Sequence, residues 1–307
     1  MNRKIKIAFI CTPLLVLCSW ILFQQKNVEV KIRAFPHDFS IQMPLKDKKR
    51  LTYLFYEILI RDDAAYTLFG NKPMSINGLV KPFSTLMGWD IFWMSVNSSN
   101  IRLYQSWKTW LKYAPLFESS RFLLSAETNP YWPEPNDAIC ILTIDKKKFA
   151  ETIRAHKGDF EQILQAEDIN GERLLQQATH TPLLKTILKS HDGLIGTLLG
   201  YGRNNAWLYE EKKRGSQISM VSICEPIIYS FFANRPKLAW TYFGILEKDL
   251  SLVLGYPTFL ADPNSVETKT IKQDFIHTRE KILSYYEGKD FLEATFDLLL
   301  AKPESLH

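Results

Sequence analysis

What most constrains this chain is its first two dozen residues. Arg3, Lys4 and Lys6 precede an apolar run from Ile7 to Phe23, interrupted only by Thr12, Pro13 and Ser19, and no acidic residue occurs before Glu29. As a helix rising about 1.5 Å per residue, the run covers roughly 26 Å, close to the hydrocarbon thickness of a bilayer. Trp20 stands near its far end, where an indole favours the interface, and Gln24, Gln25 and Lys26 stop it. Residues 1–24 therefore read as a signal-anchor that partners the lipid bilayer through residues 7–23. The preceding basic residues favour a cytoplasmic N-terminus and an exported remainder. The competing reading is a cleaved signal peptide. Its best processing site follows Cys18, with Val16 and Cys18 in the small-residue positions, and neither is an alanine. Lipoprotein processing at Cys18 wants a small residue before it, and Leu17 is not small.

Beyond the anchor, residues 25–44 read as a tether ending at Pro44, and residues 45–307 as one globular domain with ample length for a core. The formal charge of +5 looks basic, but Arg3, Lys4 and Lys6 supply three of those charges. The remaining 35 basic and 33 acidic residues leave +2, so the balance carries no nucleic-acid footprint. Lys46, Lys48, Lys49 and Arg50 form one basic cluster and Lys212, Lys213 and Arg214 another. Both read as solvated helix ends, the first near enough to the anchor to touch anionic lipid. Cys140 and Cys224 lie in apolar strand-like stretches and act as small apolar groups unless export pairs them as a disulfide. Two cysteines and six histidines without HxxxH or HxH spacing make no metal site, and no cofactor motif is complete.

Periodicity predicts a predominantly helical α+β fold. Leu51, Leu54, Phe55, Ile58 and Leu59 mark a helix over 45–62, and Tyr104, Trp107, Trp110 and Leu111 another over 101–117. A strand is expected at 138–144 and helices at 146–156, 159–167 and 182–190. Residues 240–246 and 250–254 look extended. Asn264 and Glu267 suggest a capping box opening a helix through Tyr286, ended by Gly288 and followed by a last helix at 291–300. Gly70-Asn71 suggests a two-residue hairpin pairing Tyr66–Phe69 with Lys72–Ser75.

Three local signatures stand out: Tyr66-Thr67-Leu68-Phe69-Gly70-Asn71-Lys72-Pro73, Leu198-Leu199-Gly200-Tyr201-Gly202-Arg203-Asn204-Asn205-Ala206, and Phe259-Leu260-Ala261-Asp262-Pro263-Asn264-Ser265. Their order and flanks resemble conserved membrane-anchored proteins of unknown function from chlamydia- and legionella-type intracellular bacteria, over most of residues 45–300. No activity attaches to that family, so the resemblance implies no catalytic residue. It implies only an envelope-associated bacterial protein.

The middle signature has two readings. In one, a single helix runs from about 193 to 211, with Gly193, Gly196 and Gly200 on one face for close packing or for a ligand beside Arg203, Asn204 and Asn205. In the other, residues 194–199 form a strand, Gly200-Tyr201-Gly202 a phosphate-binding turn, and Glu225 the acid of a nucleotide-binding βαβ unit. The third glycine of that fingerprint is here Asn205, which would crowd the helix–strand contact. His191-Asp192 is the one candidate catalytic pair, and an adjacent His-Asp at a helix start more often caps it. Arg61-Asp62-Asp63 could hold a cation or pair internally, and reads first as a solvated helix end. Trp89, Trp93, Trp107, Trp110 and Trp132 could line a groove, and helical spacing reads them as core. The favoured expectation is a non-enzymatic, membrane-tethered envelope or interaction protein at the bacterial inner membrane, its domain periplasmic, with an unidentified protein partner. The alternatives are an exported hydrolase-like enzyme using His191, Asp192, Arg203 and Asn204, and a nucleotide-binding module at Gly200–Gly202.

Overall fold

The long β-branched stretch Ala138-Ile139-Cys140-Ile141-Leu142-Thr143-Ile144 suits a strand with both faces covered. In the computed structural model it is the centre of the fold. The structure describes residues 43–80, 98–117, 121–128, 138–217, 220–223 and 250–300. The apolar run at 7–23, the tether up to residue 42, Cys224, Trp89, Trp93, Trp132 and the extended stretch expected at 240–246 lie outside the described residues. Among the described residues no helix is long and apolar enough to cross a membrane.

In chain order the elements begin with α1 (Leu45–Phe55), which continues as a π-helical turn, Tyr56–Arg61. Then come α2 (Ala65–Phe69), β1 (Met74–Val80), α3 (Ser98–Tyr113), β2 (Phe122–Thr128) and β3 (Ala138–Asp145). A run of short helices follows: α4 (Lys146–Ala155), α5 (Lys157–Leu164), α6 (Gly171–Gln177), a π-helical turn at Leu183–Ile187, α7 (Asp192–Leu198) and α8 (Arg203–Lys213). The last elements are β4 (Val221–Ile223), a 3-10 turn at Leu250–Leu252, β5 (Phe259–Ala261), α9 (Val266–Tyr286) and α10 (Phe291–Leu300). Helix and strand are mixed, helix predominates, and Met43–His307 forms one unit with a small sheet.

The three-stranded sheet is antiparallel in the order β1-β3-β2, with Met74 opposite Ile144 and Leu123 opposite the same residue on the other side. Cys140, Leu142 and Ile144 alternate onto one face and pack with Phe149 and Ile153 of α4, Phe160 of α5, and Leu194, Ile195 and Leu198 of α7. Burial pushes the Cys140 thiol up to about 12, with Glu127 adding to it, so the group stays neutral as a small apolar side chain. Asp145 closes β3 and opens α4. Buried to 1 % exposure, it accepts the Lys148 N–H at 3.1 Å and pairs with Arg121 at 3.1 Å and Lys148 at 3.2 Å. A second cluster joins α1, α3 and α10: Phe55 meets Trp110 edge-on at 5.2 Å, and Phe117 lies 4.7 Å from Phe296. Trp107 and Trp110 are buried, as their spacing predicts.

Several expectations are corrected here. No hairpin forms at Gly70-Asn71: residues 65–69 are helical, Gly70 N–H donates to Tyr66 O at 2.9 Å, and β1 pairs with β3. Tyr66, Thr67 and Phe69 favour strands, but their surroundings override that preference. Tyr66 and Thr67 are wholly buried, the Tyr66 hydroxyl donates to Gly255 O, and the Thr67 and Ser75 hydroxyls bond at 2.8 Å. Gly70 is needed for space, since a Cβ there would lie 2.5 Å from Thr278 Oγ1. The single helix expected over 193–211 is two antiparallel helices, because Gly200 (φ +75°) and Gly202 (φ +87°) turn the chain between them. Residues 194–198 are helical, which removes the strand a nucleotide-binding βαβ unit requires. Leu250–Leu252 is a 3-10 turn and not a strand, and β2 and α6 add elements the pattern did not mark. The helix through Tyr286 is capped by Ser265, which accepts from Thr268 N–H at 3.0 Å, and Glu267 reaches away to α8.

Candidate functional site

The three signatures, more than 50 residues apart in sequence between the second and third, meet at the loop joining α7 to α8. Gly200 takes a positive φ that side chains rarely adopt, and a Cβ there would come 3.1 Å from Lys72 Cα. That close approach brings the first signature against the second. Tyr201 stacks flat on Phe259 of the third, with centroids 4.8 Å apart and planes within 2°. Phe259 in turn meets Phe275 of α9 edge-on, and Phe275 meets Tyr66 of α2.

Lys72 is the charged centre of this junction. It is 2 % exposed, its ammonium lies 5.4 Å over the Tyr201 ring, and it donates to Asp63 Oδ1 at 2.6 Å. Burial alone would drive the Lys72 ammonium down, but Asp63 and Tyr201 hold it above the ordinary lysine value. Asp63 adopts φ 63°, a left-handed conformation that Asp tolerates better than most residues. In the Arg61-Asp62-Asp63 stretch Asp63 bonds Lys72 and Arg61 pairs with Glu57 at 2.7 Å, so both are engaged in pairs within the fold.

Asn205 ties the junction to α9. It is 1 % exposed, its amide N–H groups donate to Tyr201 O and Thr268 Oγ1 at 3.0 Å each, and its Oδ1 accepts from Asp262 N–H at 3.2 Å. Glu267 carries the most informative contact. Its two carboxylate oxygens accept the N–H groups of Asn204 and Asn205, each at 3.2 Å, at the start of α8. A glycine loop leading into a helix N-terminus is a ready anion site. Here the anion is a side chain of the same molecule. Gly202 makes room for it, since a Cβ there would stand 2.4 Å from Glu267 Cδ. Arg203 turns outward from that loop into a two-point pair with Asp159, at 2.5 and 2.8 Å, which holds the Asp159 carboxyl below the usual range.

His191 and Asp192 lie at the other end of the helix pair. The His191 ring accepts Leu194 N–H at 3.3 Å through Nδ1 and so caps α7, while its Nε2 lies 3.9 Å from Glu210 Oε1. Asp192 bonds Lys213, its N–H donates to Glu210 Oε2 at 3.1 Å, and Arg214 holds Glu210 from outside. The sequence candidates therefore form two clusters, one at each end of α7–α8, and not one constellation. Between the ends the helices touch closely, with Gly196 so near Ala206 that a Cβ on it would lie 2.8 Å from the alanine's own.

Two grooves flank the pair. One, about 390 Å³, is apolar, lined by Ile195, Leu199, Tyr201, Phe259 and Leu260, with Asp192 and Lys213 among its edges. The other, about 360 Å³, brings Thr152, His156, Arg203, Glu267 and Thr270 together with Pro73 and Ile271. Among the described residues no group of three His, Cys, Asp or Glu side chains is placed to hold a metal ion. Sequence reasoning missed Lys72, Asp159, Glu210 and Glu267 as partners, because each acts across more than one element. The one available signal was the recurrence of asparagine together with glycine or proline in three separate signatures. A scan against protein-family models and searches of curated proteins and of solved structures each returned no match to this chain.

Proposed function

We propose that the chain is a membrane-tethered cell-envelope protein that acts by interaction and not by catalysis. Residues 7–23 are its bilayer anchor in the bacterial inner membrane, and the remainder is exported. The observation that carries the reading is the apolar run behind Arg3, Lys4 and Lys6, whose length and charge asymmetry suit a single span with a cytoplasmic N-terminus. What supports interaction over catalysis is the use made of the polar candidates. His191 caps a helix, Asp192 bonds Lys213, Arg203 bonds Asp159, and Asn204 and Asn205 bind Glu267 through their N–H groups. Each has a partner within the fold, on α7–α8 itself or on α5 and α9, which leaves the hydrolase reading without an assembled nucleophile and base.

Carbonate extraction of bacterial membranes tests the anchor. The full chain is expected to stay in the pellet and to be digested by protease added to spheroplasts. A version lacking residues 1–24 is expected in the soluble fraction. Release of the full chain by carbonate would overturn the span, and protection from external protease would overturn the orientation.

A further inference from the structure

Near-neutral overall charge hides one strongly basic surface. α1 carries Lys46, Lys48, Lys49 and Arg50 against Asp47, and α3 carries Arg102, Lys108 and Lys112 with no acid. Seven basic residues against one acid give these two helices +6, while the entire chain carries +5. The helices pack as an antiparallel pair. Arg50 Nη2 donates to Gln105 Oε1 at 3.0 Å, the Arg102 guanidinium lies 4.1 Å over the Tyr53 ring, and Lys112 donates to Asp47 Oδ2 at 2.9 Å. Tyr113 donates to the same Asp47 oxygen at 2.6 Å, so the pair's one carboxylate is already engaged. Lys46, Lys49, Arg102 and Lys108 are exposed. At the end where α1 begins and α3 finishes, Leu45 is 67 % exposed and Leu111 is 53 % exposed.

We propose that the outward face of α1–α3 is a second membrane contact, which lies on the headgroups of anionic phospholipid. Two features of this face select a lipid surface over nucleic acid. Exposed leucines among lysines suit the boundary between headgroups and acyl chains, where the ammonium groups meet phosphate and the leucines leave water. A phosphate backbone of DNA offers the charge without the apolar layer. The second feature is chain order, for α1 follows the apolar run more closely in sequence than any other described element. The contact extends the anchor reading of residues 7–23 and uses different residues. Each basic side chain brought to an anionic surface strengthens binding about fivefold, and the attraction falls off within a Debye length.

The test reconstitutes the full chain into vesicles of phosphatidylcholine alone and of phosphatidylcholine mixed with phosphatidylglycerol. Lysines are then labelled with an acetylating reagent and read by peptide mass spectrometry. Labelling of Lys46, Lys49 and Lys108 is expected to fall about fivefold in the anionic vesicles and to recover in high salt. Lys272 and Lys281, exposed on α9, serve as internal controls. Equal labelling in both vesicle types overturns the proposal, as does protection of the same lysines by duplex DNA added to neutral vesicles. A triple variant, Lys46→Glu with Lys49→Glu and Lys108→Glu, changes only exposed positions and should lose the preference for phosphatidylglycerol while still floating with neutral vesicles. Flotation with neutral vesicles reads the anchor alone. A chain that floats only with anionic vesicles, and loses that in the triple variant, would refute the anchor and sustain the headgroup contact.

Discussion

Gly202→Ala is the sharpest perturbation of the α7–α8 loop, because two separate costs meet at one atom. Gly202 sits at φ +87° and ψ 148°, a region that only glycine occupies without strain, and forcing an alanine there costs about 1–3 kcal/mol. The new methyl would also stand 2.4 Å from Glu267 Cδ and 2.6 Å from Oε2, the flexible end of that side chain, which has to move aside. Glu267 must then leave the Asn204 and Asn205 N–H groups. A carboxylate at a helix N-terminus is worth about 1–2 kcal/mol in hydrogen bonds and dipole interaction. Together the substitution should destabilise by about 3–4 kcal/mol, which lowers the melting temperature of a unit this size by roughly 10 °C. Circular dichroism melting of the detergent-solubilised chain measures it. The decisive comparison is Gly202→Ala on a Glu267→Ala background. With the carboxylate already gone the clash disappears, so only the backbone strain remains and the two substitutions are strongly non-additive. A melting temperature that Gly202→Ala leaves within 2 °C of the parent's, or strict additivity with Glu267→Ala, would show that Glu267 does not occupy the loop; the threshold is about the effect of 1 kcal/mol.

Three further outcomes follow from the same geometry. Asp63→Asn strands the Lys72 ammonium at 2 % exposure and should cost about 3 kcal/mol, whereas Lys72→Met leaves an Asp63 side chain that is 24 % exposed and can hydrate, and should cost less than half as much; equal losses by thermal unfolding would contradict this asymmetry. Arg203→Ala removes a partly exposed pair worth at most about 1 kcal/mol. Because Arg203 holds the Asp159 carboxyl below its unfolded value of 3.8, that stability is present above pH 3.8 and lost as pH falls through the depressed value, so parent and variant melting curves should converge in acid and diverge at neutrality. Gly196→Leu should destabilise by about 1–3 kcal/mol through overpacking on Ala206, and a melting temperature unmoved by it would sink the close-packing account of that glycine.

The elements legible from the sequence are those whose pattern is long and locally consistent. Trp107, Trp110 and Tyr113 lie on one side of α3, and Phe275, Ile282 and Tyr286 on one side of α9, so a 3.6-residue period marks both helices without help from the rest of the chain. β3 is equally plain, since its apolar run is too short for a helix and bounded by Asp145, which turns it into α4. What failed were short elements whose conformation is decided by distant partners. Five residues of α2 make barely more than one turn, and such a helix is marginal by itself. It persists because Thr67 bonds Ser75 on β1 and Tyr66 bonds Gly255, the latter a contact that no local window contains. Gly70 misled for a related reason: its φ of −106° is available to any residue, and the glycine answers to Thr278 on α9.

The candidate site was half visible for a geometric reason. His191, Asp192, Arg203, Asn204 and Asn205 are neighbours in sequence, and a single stretch of fifteen residues invites the idea of one site. An antiparallel helix pair undoes that proximity. α8 has 11 residues, so at about 1.5 Å per residue its ends stand roughly 16 Å apart. His191 and Asp192 are returned to the end that holds Glu210 and Lys213, while Arg203 to Asn205 stay at the loop with Asp159 and Glu267. Position along the chain gave the first residue of each contact and never the second, because the second comes from α5, α9 or the far part of α8. The glycines were the better guide. Gly196, Gly200 and Gly202 mark three different close approaches, to Ala206, Lys72 and Glu267, and each names a contact between elements that polar residues alone did not disclose. Read that way, the glycine-rich segment is a joint at which α2, α7, α8, β5 and α9 are fastened, and its one anion-binding N-terminus is filled by the protein's own Glu267.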